Sequence, residues 1–307
     1  MSWSFANRRH TVGALLGLGG ALAAPSLRAQ APATATLPPY QLDHTEVLPT
    51  PSARWSRSYE AYIGLPADYA SAGRRYPLVV VSDAPYAFPV VRAIAGRVQR
   101  HGTGLEDFIL VGLSYARGEN GAVSRNRDYT PTDRSLDRGQ TAATGVYGQA
   151  SAYLDFLAQD VLPLVDQRYR TQPGRRVYVG HSYGSLLGLQ ALQQQPALFS
   201  HHILGSPSLW FNGGQPFRAL QAFAPQAAGR SARLRLYVGG LERPGPQRPR
   251  DEDMVGQMKR YAQALQALPW RQLDLKAQVL DGEDHATVFP RLVTAGLAWA
   301  LPKPGTA

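Results

Sequence analysis

The chain has 307 residues, 44% of them hydrophobic and 18% charged, with a formal net charge of +10 and no cysteine. This composition excludes disordered, collagen-like and coiled-coil chains; the missing cysteine removes disulfides, thiolate catalysis, Cys-ligated zinc and a lipoprotein anchor. The basic residues are scattered, as at Arg74-Arg75 and Arg175-Arg176, with no basic helix or aromatic-basic alternation, so nucleic acid is not an expected partner.

Residues 1–31 read as an export signal. Arg8-Arg9 precede a Gly-rich, mildly apolar run over residues 11–24, too short to span a bilayer, and Ala29 and Ala31 form an A-x-A cleavage pattern. The arginine pair gives the segment a twin-arginine-like character, and Pro32 shifts the expected cut towards Ala33 or Ala35. The expectation is export by dedicated machinery, with the mature chain periplasmic or secreted and without a stable membrane anchor. Residues 32–54 read as an extended Pro/Ala/Thr-rich linker.

From Trp55 onward strands and helices alternate. "SYEAYIGLP", "YPLVVVSDAP" and "FILVGLSY" are strand runs. A stretch of about thirty residues without a clear period follows, from Ala116 to Gly148, and a loop of that length inside a domain is usually functional or disordered. Tyr153, Leu154, Leu157, Val161, Leu162 and Val165 then form a helical stripe. "RRVYVG", "HHILG", "RLRLYVGG" and "LDLKAQVL" are further strands, and "YGSLLGLQALQQQ", "DEDMVGQMKRYAQALQAL" and "VFPRLVTAGLAWAL" are helices. The alternation predicts an α/β fold, a mostly parallel central sheet with helices on both faces, as one catalytic domain over residues 55–302 with a short tail at 303–307.

One pentapeptide carries the chemistry. Gly180 and Gly184 bracket Ser182 between a strand and a helix, the G-x-S-x-G elbow that exposes a nucleophilic hydroxyl on a tight turn. His181, as the elbow's own x residue, is expected to point away from Ser182, and His201 and His202 to lie at the surface. Of seven histidines only His285 falls in a loop after the last strand, where this fold's chain order puts the general base. The acid is open among Glu242, Asp251, Glu252, Asp253, Asp281, Glu283 and Asp284, with Glu242 favoured because it directly follows a strand. The oxyanion hole should take the backbone N–H of Tyr183 and one from the turn after "YPLVVVSD": Ala84 or Tyr86, since Pro85 has no N–H. No His/Asp/Glu cluster has metal spacing and no nucleotide-binding loop follows a strand, so neither metal nor cofactor is expected.

The runs "YPLVVVSDAPYAF", "RNRDYTP", "YLDFLAQDVLPLVDQRYRTQPGRRVYVGHSYGSLLGLQAL", "GSPSLWF" and "GEDHATVFPRLVTAGLAW", in this order over residues 55–302, resemble the putative-esterase branch of the α/β-hydrolases, and within it the periplasmic enterobactin (ferric siderophore) esterases. The resemblance implies the α/β-hydrolase fold and a serine esterase in which Ser182 and His285 match nucleophile and base. It implies a small-molecule ester substrate, such as the lactone esters of a ferric catecholate siderophore. Arg125, Arg127 and Trp210 would line the substrate site. The same branch also contains esterases of acylated carbohydrates, and a catalytically silent siderophore-binding relative is a further alternative. Two positions depart from the family pattern: its glycine after the strand-ending aspartate is Ala84 here, and the glycine that follows the elbow is Ser185.

Overall fold

The structure, a computed structural model, describes residues 37–51, 55–101, 104–134, 146–245 and 253–303. The region read as an export signal lies outside the described residues. Gln41–Ala307 forms one unit built on an eight-stranded sheet.

In chain order the strands are β1 (Thr45–Thr50), β2 (Tyr59–Gly64), β3 (Tyr76–Val81), β4 (Ile109–Leu113), β5 (Thr171–His181), β6 (His201–Gly205), β7 (Ser231–Gly239) and β8 (Gln272–Leu280). Their order across the sheet is β1-β2-β4-β3-β5-β6-β7-β8. The pairs β1–β2 and β2–β4 are antiparallel, and every pair from β4 to β8 is parallel. The helices are α1 (Ala84–His101), α2 (Gly121–Tyr129), α3 (Ala150–Phe156), α4 (Leu162–Arg168), α5 (Tyr183–Gln194), α6 (Phe211–Ala227), α7 (Met254–Gln266) and α8 (Val288–Ala300). A π-turn, Leu157–Val161, joins α3 to α4 just before Pro163, whose missing N–H suits the widened ladder.

Strand β3 is buried at every position because it is covered on both faces, which is why it reads as an unbroken apolar run. Leu78 and Val80 pack into one core with α3, α5 and α7; Val79 and Val81 pack into the other with α1 and α8. Side chains alternate along β5 in the same way: Tyr178 joins the first core, while Val177 and Val179 join the second. No helix among the described residues is long and apolar enough to cross a membrane.

Three expectations are corrected. Part of the stretch read as a linker, Thr45–Thr50, is edge strand β1, held antiparallel to β2. The loop without a period contains α2, whose buried residues are Ser124, Arg127, Asp128 and Tyr129. His202 is 2% exposed, inside β6 rather than at the surface.

Candidate active site

The serine elbow is built by β5 and α5. Ser182 sits between them at φ 58° and ψ −117°, a left-handed backbone that costs a non-glycine residue about 1–3 kcal/mol. Its neighbours must be bare: a β-carbon on Gly180 would collide with the Gly184 carbonyl, and one on Gly184 with Ser82 Oγ. Hydrogen bonds hold the turn in place. Ser182 N donates to Gly205 O (2.9 Å) and Tyr178 Oη to Gly184 O (2.8 Å). Ser185, the departure from the family's glycine, donates through Oγ towards both Gly180 O (3.0 Å) and Gly205 O (2.7 Å), tying the elbow to two strands. Ser182 Oγ itself bonds Ser208 Oγ at 3.2 Å.

His285 stands in the loop between β8 and α8, with Nδ1 2.6 Å from Glu242 Oε2. A carboxylate only accepts, so this bond fixes the tautomer with the proton on Nδ1 and leaves Nε2 as the basic nitrogen. Glu242, just past β7, is fully buried, and its Oε1 accepts from Ser206 Oγ (2.5 Å) and Gly239 N (2.8 Å). Burial alone would push this carboxyl up, but the hydrogen bonds from His285, Ser206 and Gly239, with the charge on His285, hold it below the ordinary glutamate range. The competing acids have other work. Glu283 pairs with Arg291 (2.9 Å), Asp284 Oδ1 accepts from Ala286 N and Thr287 N, and Asp253 caps α7 through Gly256 N. Asp281 accepts from Arg291 through its carbonyl (3.0 Å), and Asp251 and Glu252 lie outside the described residues.

The turn after β3 faces the elbow. Asp83 has φ 58°, and its N–H donates to Tyr129 Oη at 3.2 Å. Tyr86 N is used by Asp83 O (3.2 Å), so of the two expected donors Ala84 is the one that opens α1, at the positive end of that helix. Tyr183 N–H opens α5 in the same sense. Asp83 Oδ1 accepts from Tyr115 Oη (2.7 Å) and Arg125 Nε (2.7 Å).

A cavity of about 350 Å³ lies over these groups, lined by Tyr86, Arg125, His181, Ser182, His285, Ala286 and Phe289. Arg125 reaches it from α2, with Nη2 on His181 O (3.1 Å) and its guanidinium 5.1 Å from the Tyr183 ring centroid. Arg127 does not share this place. It is 5% exposed and bonded to Asp128, Glu119 and Tyr59 Oη, a buried network that fastens α2 to β2, so its reading as a substrate residue is corrected. Trp210 packs beside Tyr183 (6.3 Å between centroids) and under Arg134, outside the cavity lining. The ring of His181, the elbow's x residue, lies 4.6 Å from that of His285 and lines the same cavity. Burial, with His285 and Arg125 close by, pushes the His181 imidazole down to about 3, so it stays neutral. Sequence reasoning also passed over Ser206, Ser208, Asp83 and Phe289; the only signal was that the first three follow strand ends.

A serine on a strained turn, a buried carboxylate bonded to an imidazole and a shared cavity have the chemistry that acyl transfer requires. The comparisons with known proteins point the same way. The family model described as "Putative esterase" matches residues 52–282. The chain is 27% identical over 275 residues to the ferri-bacillibactin esterase of Bacillus subtilis (strain 168), covering 87% of this chain and 92% of that one. It is 29% identical over 242 residues to the siderophore triacetylfusarinine C esterase of Aspergillus fumigatus, with 72% and 80% covered. In structure it is similar to an IroE-like serine hydrolase from Shewanella oneidensis, with a TM-score of 0.69, 25% identity, and 82% and 78% of the two chains covered. With the family model spanning most of the chain and the overall structure shared with that serine hydrolase, this protein belongs to the putative-esterase family and has the α/β-hydrolase fold.

Proposed function

We propose that this protein is an exported serine esterase that cleaves the ester bonds of siderophores through an acyl-enzyme. The observation that carries the reading is the 2.6 Å bond between His285 Nδ1 and buried Glu242, with the strained Ser182 lining the same cavity. The Ser182 hydroxyl turns from Ser208 to His285, and Oγ attacks the acyl carbonyl while Nε2 takes its proton. Glu242 holds the tautomer and stabilises the imidazolium as it forms. The oxyanion forms beside the N–H groups of Tyr183 and Ala84, each at a helix N-terminus. His285 then gives its proton to the leaving alkoxide oxygen as the C–O bond breaks. Water repeats the sequence in reverse roles and frees the acid.

Two features support a siderophore as substrate. The relatives named above are esterases of ferri-bacillibactin and of triacetylfusarinine C. The cavity also joins the cation of Arg125 to the rings of Tyr86 and Phe289, a lining suited to anionic, aromatic acyl groups. The bound iron belongs to the substrate. Export rests on the Arg8-Arg9 signal pattern and places the reaction in the periplasm or outside the cell.

A fluorophosphonate probe should add to Ser182 of the folded protein at neutral pH, and Ser182→Ala should abolish ester turnover. Parallel assays on ferric enterobactin and on feruloyl or acetyl sugar esters, read by product mass, decide the substrate. Turnover of the sugar esters alone would move the activity to acylated carbohydrates. Equal siderophore binding by wild type and Ser182→Ala, with no hydrolysis by either, would mark a silent binding protein.

A further inference from the structure

We infer that His181 is the positioning residue of the catalytic imidazole, a rigid ring that stops His285 from pivoting. The inference rests on the reading of Ser182, His285 and Glu242 as the catalytic groups.

His285 lies in a loop, its side chain is 38% exposed, and among the described residues its ring is hydrogen-bonded at Nδ1, to Glu242. A single bond fixes Nδ1 but lets the ring swing about that point, and Nε2, on the far side of the ring, sweeps the widest arc. A misplacement of about 1 Å at a reacting atom can cost about a hundredfold in rate. A second contact is needed to hold the ring, and His181 packs beside it, at 4.6 Å between centroids with a 46° tilt.

The strand dictates that His181 is there. Val177, Val179 and His181 share one face of β5, the face that packs against α1 and α8, and the loop carrying His285 leads directly into α8. His181 is itself locked. Its backbone is paired with Gly205, its carbonyl accepts from Arg125, and Tyr86 Oη stands 3.5 Å from its Nδ1. Phe289 meets its ring edge-on at 6.0 Å, and the residue is 8% exposed.

Neutrality matters as much as position. The charged and titratable groups around His181 are His285 from the loop before α8, Arg125 from α2 and Tyr86 from α1, with Asp83 behind Arg125 and Glu242 behind His285. When His285 becomes an imidazolium during the reaction, an uncharged ring beside it adds no repulsion. A second cation there would oppose the same step.

The test compares His181→Ala, which deletes the ring, with His181→Phe, which keeps a ring of similar size without titratable nitrogens. Turnover of a 4-nitrophenyl ester is followed over pH, together with the downfield proton resonance of the His285–Glu242 bond. His181→Ala should lower kcat about tenfold or more, leave KM within about twofold, and broaden the downfield resonance. His181→Phe should restore kcat to within about threefold of wild type, keep the resonance sharp and leave the acid limb of the pH profile in place. If the alanine variant does not fold, His181→Gln, which fills the space without a ring, takes its place with the same expected loss. A wild-type kcat and a sharp resonance in the ringless variant would overturn the inference, as would a folded His181→Phe as impaired as that variant. Labelling of Ser182 by the fluorophosphonate separates the two claims. If wild type labels and turns over while the His181 series is flat, only the positioning role is lost. An active Ser182→Ala would instead remove the catalytic reading itself.

Discussion

Replacing Glu242 by glutamine probes the proposed relay at its most asymmetric point. The two carboxylate oxygens are used differently: among the described residues Oε1 accepts from Ser206 Oγ and Gly239 N, and Oε2 from His285 Nδ1. Glutamine keeps the shape but has a single oxygen. Two donors at one site outweigh one at the other, so the amide oxygen settles at the Oε1 position and the NH₂ turns to His285. An N–H there requires an acceptor, which forces the imidazole into the tautomer with a bare Nδ1 and a proton on Nε2. That tautomer cannot take the Ser182 proton. Loss of the tautomer together with the charge beside the imidazolium should lower kcat by roughly 10³–10⁴-fold, about 4–5.5 kcal/mol at about 1.4 kcal/mol per decade. The assay is kcat and KM on a 4-nitrophenyl ester, read beside the ¹⁵N shifts of His285. Removing one of the Oε1 donors in a Glu242→Gln, Ser206→Ala double variant should let the amide turn over and recover about tenfold. The reasoning fails if Glu242→Gln keeps more than about a tenth of wild-type kcat, or if the nitrogen shifts still report a proton on Nδ1.

Further predictions concern stability and the division of labour around α2. Burial pushes both His181 and His202 down to about 3, well below the ordinary 6.5. Below pH 6.5 the unfolded chain binds protons that the folded one refuses, so stability should be full above that pH and fall steadily towards pH 3. His202 is fully enclosed in β6 and held neutral by burial, so His202→Leu should raise Tm at pH 5 by several degrees more than at pH 8; an equal shift at both would count against this. Arg127→Ala strands a buried Asp128 and should cost about 3–5 kcal/mol by urea denaturation, with KM little changed in the folded fraction. Arg125→Met should instead raise KM for an anionic ester well above that for a neutral one, and equal effects on both esters would remove Arg125 from substrate selection. Ser206 has φ 40°, so Ser206→Gly should be more stable than Ser206→Ala by about 1 kcal/mol while both lose the same activity, since each deletes the bond to Glu242.

The parts of the fold visible in the sequence were those whose burial is apolar and periodic. Strand β3 and the central part of β5 are covered on both faces and show as continuous β-branched runs; α5, α7 and α8 carry apolar residues at helical spacing. The elements that escaped have a physical reason to. Helix α1 contains Pro89, which argues against a helix in a local reading, and α6 is broken at Asn212, Gly213 and Gly214, whose φ values are 45°, 61° and 82°. Strand β1 is a half-exposed edge containing Pro49. Helix α2 buries polar residues through hydrogen bonds: Ser124 Oγ and Tyr59 Oη both donate to Asp128. It has no apolar stripe for a periodicity to find.

The same helix explains why Arg125 and Arg127 were read as a pair. Two residues apart in a loop they would be neighbours; on a helix they point to different sides, and one reaches the cavity while the other is buried behind it. As a candidate set, Ser182, His285 and Glu242 could be picked out in the sequence because chain order and strand ends constrain them, independently of side-chain packing. What chain order does not convey is where the backbone is bent. Asp83, Ser182 and Ser206 are non-glycine residues with positive φ, and they follow the carboxyl ends of β3, β5 and β6, three adjacent strands of the parallel sheet. Each bend aims a side chain at the site: Asp83 anchors Arg125, Ser182 lines the cavity, and Ser206 donates to Glu242. Strain of about 1–3 kcal/mol at each turn is sustained by the ladders and hydrogen bonds on either side of it. Glycine at any of the three would relax the backbone and remove the group that the bend presents, so these turns hold residues that the local backbone disfavours.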